Sequence, residues 1–140
     1  MILRDLALRY ALRIRVRHSL PGRLRLHVDA LKSVPPESQH LAALVARLLG
    51  VPRGIERVDV TFVTGNLLVQ YDVGTITEQE ILRYFRGVLA LAQKHWENLL
   101  SLTEEQIPDT VDRLVRILSL ALQNRVELES EIELPDDVWP

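Results

Sequence analysis

From Arg13 to Asp29 the chain alternates strictly. Apolar residues take even positions, Ile14 and Val16, then Leu24, Leu26 and Val28, while Arg13, Arg15, Arg17, Arg23 and Arg25 take odd ones. A repeat of two marks a strand with one buried face and one polar face, here a row of guanidinium groups. Pro21 cannot donate to a sheet ladder and Gly22 is permissive, so residues 19–22 predict a bulge, a bend or a tight hairpin. After the loop SVPPES, with Ser33 or Ser38 as candidate caps, Leu41, Leu44, Val45, Leu48 and Leu49 fall on one helical stripe over 37–50, closed by Gly50.

Alternation returns at Ile55, Val58 and Val60, with Phe62 or Val63 continuing it. Thr64, Gly65 and Asn66 then form a turn into a partner strand from Leu67 to Tyr71, which together read as a hairpin. Thr77 and Glu80 make a capping box that opens a second helix. Its stripe runs Ile81, Leu82, Phe85, Val88, Leu89, Ala92, Trp96, Leu99 and Leu100. Thr103, Gln106 and Pro108 restart the chain into a third helix carrying Val111, Leu114, Val115, Leu118 and Leu122. Val126, Leu128, Ile132 and Leu134 alternate with glutamates, a last strand pattern. Residues 2–12 suggest a short leading helix, with Leu3, Leu6, Ala7 and Tyr10 on one face.

The resulting order of strand, helix, strand, strand, helix, strand predicts an α+β fold. It is the ferredoxin-like βαββαβ sandwich, an antiparallel sheet with two helices on one face, plus an extra C-terminal helix. A chain of 140 residues reads as one domain, with a core at 13–92 and a C-terminal extension over 93–140. In that topology the last strand lies beside the first. The odd-numbered arginines would then face the odd-numbered glutamates, each pair contributing roughly 0.2–1 kcal/mol.

Charge and composition narrow the function. Net charge is −2, which argues against a dedicated nucleic-acid binder, and the sheet offers almost no aromatics for base stacking. Cysteine is absent, so disulfides, thiolate metal sites and cysteine nucleophiles are excluded. No apolar run approaches the roughly 20 residues that span a bilayer. The first residues lack a signal-peptide core, so the expected location is cytoplasmic and bacterial, with any membrane contact made through a partner.

Four readings of the residues remain. Arg23 and Arg25 after Pro21 and Gly22, beside His18, suit an anion such as phosphate, or else stabilise a structural bend. His18, His27 and Asp29 are the ligands available to a borderline metal ion. Asn66 is the partner that an acylphosphatase-like chemistry would require with an early arginine, but no fuller catalytic signature accompanies it, and no enzymatic activity or cofactor is expected. Trp96, Leu99 and Leu100 would form an interaction surface, for a partner or a second copy, if their helix outran the sheet.

The motifs also resemble a known family. His18, Pro21, Gly22, Arg23 and Arg25, then Gly50 and Val51, then Thr64, Gly65, Leu67, Val69, Tyr71 and Asp72 are similar to the cysteine-free type of heavy-metal-associated (HMA-like) domain over roughly residues 14–92. The resemblance implies the same ferredoxin-like sandwich. It also implies a non-enzymatic adaptor role in metal homeostasis, with a metal-transporting P-type ATPase as an expected protein partner. The better-known members hold metal with a Met-x-Cys-x-x-Cys loop after their first strand. Here Val28, Asp29, Ala30, Leu31 and Lys32 stand near that place.

Overall fold

The computed structural model describes residues 13–126, 128 and 132–140. The leading helix expected over 2–12, and Glu127, Glu129 and Glu131 of the expected charge ladder, lie outside them.

The alternating segment is two strands. β1 (Ile14–Leu20) and β2 (Arg23–Val28) form an antiparallel hairpin in which Leu20 pairs with Arg23 across Pro21 and Gly22. Proline followed by a residue at positive φ is the type II turn signature, and Gly22 sits at φ +78°. A Cβ there would stand 3.0 Å from the Tyr71 carbonyl oxygen. That close approach lets Tyr71 N–H donate to the Gly22 carbonyl at 3.0 Å.

A second hairpin, β3 (Ile55–Thr61) and β4 (Asn66–Tyr71), completes a four-stranded antiparallel sheet of order β1-β2-β4-β3. One face packs under helices. Leu24, Leu26, Val28, Leu67, Val69 and Tyr71 share a single buried cluster with Leu41, Leu44, Leu48 and Leu49 of α1 (Leu41–Leu49) and with Ile81, Tyr84, Phe85 and Val88 of α2 (Glu78–Lys94). Each fully buried leucine or valine contributes roughly 1.5–3 kcal/mol to this core. Tyr84 O–H donates to the Leu48 carbonyl at 2.7 Å and ties α2 to the end of α1.

The arrangement is the α+β, ferredoxin-like one the pattern predicts, with one substitution of parts. The edge position beside the central strand β2 belongs to β1, not to the C-terminal segment. The described residues between 126 and 134 carry no strand, and Leu128 packs on α2 instead. Since β1 and β4 take both edges of β2, the arginine–glutamate ladder, whose Glu127, Glu129 and Glu131 lie outside the described residues, has no place beside Arg23 and Arg25. Helix starts also differ. Neither Ser33 nor Ser38 caps α1, because residues 29–33 and 36–38 coil into short 3₁₀ turns and the helix begins after His40. The Thr77–Glu80 capping box forms in full, with Glu80 N–H on Thr77 Oγ1 at 3.1 Å and Thr77 N–H on Glu80 Oε1 at 3.2 Å.

The second helical stripe breaks at His95, whose φ of −116° leaves the helical region. α3 (Trp96–Leu100) then leads into α4 (Ile107–Gln123), which buries Val111, Leu114 and Leu118. Leu99 and Leu102 turn into the core as a result.

Candidate binding surface

The side of the sheet away from the helices holds the candidate site. Opposed residues of an antiparallel pair share a face. The register therefore puts Arg15, His18 and Leu20 of β1 with His27, Arg25 and Arg23 of β2, and these with Asn66, Leu68 and Gln70 of β4. Arg57, Asp59 and Thr61 of β3 complete this face.

A bulge shapes it. The β1–β2 register shifts between Val16 and His18, so Arg17 is the extra residue. Up to Val16 the even positions face the core. Beyond the bulge they face outward, which turns His18 and Leu20 toward Arg23 and Arg25. Arg17 swings to the same place, and the six side chains Arg17, His18, Leu20, Arg23, Arg25 and Leu68 line a shallow depression of about 370 Å³.

Counter-charges are unevenly distributed on this face. Arg15 is bound to Asp29 at 2.9 Å, and Arg57 to Asp59 at 3.0 Å. Among the described residues no carboxylate pairs with Arg17, Arg23 or Arg25. Like charges gathered on one small area repel one another even in water. That cost is relieved when an anion arrives.

The far end of the face is closed on itself. His27 is 5% exposed, and its ring nitrogens meet Asp29 Oδ1 at 2.6 Å and Asn66 Oδ1 at 3.1 Å. Asp29 also accepts from Arg15. The His27 hydrogen bond, with smaller help from Arg15 and Lys32, holds the Asp29 carboxyl below the usual carboxylate range. This commits both nitrogens of His27, while His18 stands among arginines that repel a cation. The metal site weighed at His18, His27 and Asp29 is thus not assembled. Among the described residues no group of three or more His, Asp or Glu side chains could hold a metal ion.

Other sequence candidates are placed as follows. His18, Pro21, Gly22, Arg23 and Arg25 do converge at the β1–β2 turn. Thr64, Gly65 and Asn66 form the other hairpin turn at the opposite end of the sheet. Asn66 pairs with His27, and Arg23 with Gln70, four residues or about 13 Å further along β4. Asn66 is therefore no partner for Arg23, and the acylphosphatase-like pairing is absent. The apolar surface expected at Trp96, Leu99 and Leu100 reduces mainly to Trp96, which is 36% exposed, since Leu99 is buried and Leu100 partly so. Sequence reasoning missed Leu20 and Leu68 beside the arginines, because the bulge in β1 turns Leu20 outward and the β2–β4 register sets Leu68 opposite Arg25.

The family model for heavy metal associated domain 2 matches residues 8–130, which include the whole sheet and α1 to α4. The chain belongs to this heavy-metal-associated family. No curated protein and no solved structure matches it. In this heavy-metal-associated domain the stretch Asp29–Ser33, near the place of the thiolate loop, is a 3₁₀ turn with Leu31 buried and Asp29 occupied by His27 and Arg15. No helix among the described residues is long and apolar enough to cross a membrane.

Proposed function

We propose that the chain is a non-catalytic binding domain of bacterial metal homeostasis that works by protein contact rather than by thiolate capture. Its partner is the cytosolic part of a metal-transporting ATPase. One observation carries the reading. A heavy-metal-associated domain with no cysteine in 140 residues displays, on the side of its sheet away from the described helices, three arginines without a carboxylate partner among the described residues. Such a face supports steered, charge-dependent docking. Biolayer interferometry of the purified chain against purified cytosolic domains of a metal-transporting P-type ATPase tests the reading. Saturable binding that survives a chelator is expected. Absence of binding, or tight stoichiometric uptake of zinc or copper by the chain alone in calorimetry, contradicts it.

A further inference from the structure

The depression beside the Pro21–Gly22 turn constrains its occupant in four ways. Arg17, Arg23 and Arg25 give it a positive charge with no carboxylate partner among the described residues, so the occupant is anionic. Its cations are spread rather than focused. Arg23 and Arg25 alternate on β2, about 6.6 Å apart, and Arg17 comes from the next strand, about 4.8 Å away. A single small oxyanion spans one or two such groups. An extended polypeptide with acidic side chains at alternate positions has the same repeat as the strand beneath it.

The walls are also part aliphatic. Leu20, 49% exposed, and Leu68 flank the arginines, which suits an apolar side chain next to the acidic ones. Finally, the register places no Phe, Tyr or Trp on this side of the four strands, so it lacks the stacking platform of a single-stranded nucleic-acid binder.

We propose that this depression receives an extended acidic segment of a protein partner, its alternate carboxylates on Arg17, Arg23 and Arg25 and an aliphatic side chain against Leu20 and Leu68. The inference rests on the protein-contact reading above and names the chemistry of the partner. Arg57 lies on the same side of the sheet but is already held by Asp59, so it takes no part.

The test is fluorescence anisotropy with a labelled peptide of repeat Glu-Ser-Glu-Ser-Leu, on the full chain. Binding is expected to saturate, to weaken as sodium chloride rises, and to fall about tenfold when the peptide glutamates become glutamine or when Arg23→Gln and Arg25→Gln are combined. Arg17→Gln and Leu20→Ser each weaken it severalfold, so the outcome does not depend on one variant folding. Arg57→Gln leaves it unchanged. No binding, equal binding of the glutamine peptide, or indifference to the Arg23 and Arg25 changes overturns the proposal. So does displacement by millimolar inorganic phosphate at constant ionic strength, which would make this a small-oxyanion site. If the ATPase domains bind while the acidic peptide does not, the inference falls and the protein-contact reading stands. If the ATPase domains also fail to bind, that reading falls as well.

Discussion

Leu128 lies directly over Gly87. A Cβ at residue 87 would stand 2.5 Å from the Leu128 Cβ, so α2 carries a glycine where the returning chain crosses it. This contact places Leu128 on the helical layer, away from β2. Alanine in a helix interior ordinarily gains about 1 kcal/mol over glycine. Here the sign reverses, and Gly87→Ala is expected to lower the melting temperature. Combining it with Leu128→Gly, which removes the crowded Cβ, should cost less than the sum of the two single changes, a coupling that thermal denaturation of the parent, both single variants and the double variant measures.

The Gly22 turn predicts a second effect. Valine at φ +78°, with its Cβ 3.0 Å from the Tyr71 carbonyl, is strained in its backbone and crowded against β4. Gly22→Val should cost about 2 kcal/mol or more in urea unfolding. A variant as stable as the parent would show that the turn does not hold the two hairpins together.

Tyr84 gives an alkaline signature. Burial pushes its hydroxyl well above its ordinary value of 10.0, and the O–H donates to the Leu48 carbonyl. A group whose pKa is raised on folding contributes stability that is present below the unfolded value and lost as pH rises past it. The parent should therefore weaken above pH 10. Tyr84→Phe should start about 1 kcal/mol less stable and show a shallower loss from pH 10 upward in urea titrations at stepped pH.

The opposite sign applies to Asp29. Its carboxyl is depressed chiefly by the His27 hydrogen bond, so its contribution is present above 3.8 and lost as pH falls through the lower folded value. Asp29→Asn should flatten the acid side of the stability profile below pH 4. It should also broaden the His27 resonances in NMR spectra, because the buried ring loses the partner of one nitrogen. An unchanged acid limb would remove Asp29 from the account.

Much of the fold was legible in residue order. Leu24, Leu26 and Val28 announced β2, the leucine stripe announced α1, and Thr77 with Glu80 announced the start of α2, because each signal is local and stereochemical. The neighbour of β2 was not legible. Alternating Val126, Leu128, Ile132 and Leu134 fit an edge strand as well as a segment draped over a helix, and period alone does not separate the two. Loop closure decides in favour of β1. The Pro21–Gly22 turn joins β1 to β2 across two residues, whereas the C-terminal segment must close a loop of about a hundred. Exposed charge pairs, worth at most about 1 kcal/mol each, add too little to reverse that.

The site was half legible for the same reason. Arg23 and Arg25 follow from period two and the adjacent turn. Arg17 belongs to the same odd-numbered row and Leu68 to the outward alternation of β4, but His18 and Leu20 join them only through a one-residue bulge that reverses the parity of β1, and no local motif marks it.

The central claim is that Arg17, Arg23 and Arg25 beside the first hairpin turn form the working surface of this domain. The most direct measurement is a nitrogen–proton NMR titration of the labelled chain with the Glu-Ser-Glu-Ser-Leu peptide. The account predicts saturable shifts confined to residues 16–26 and the strand around Leu68, with Trp96 and α4 unmoved. Shifts centred on Trp96 or α4, or none at peptide excess, would contradict it.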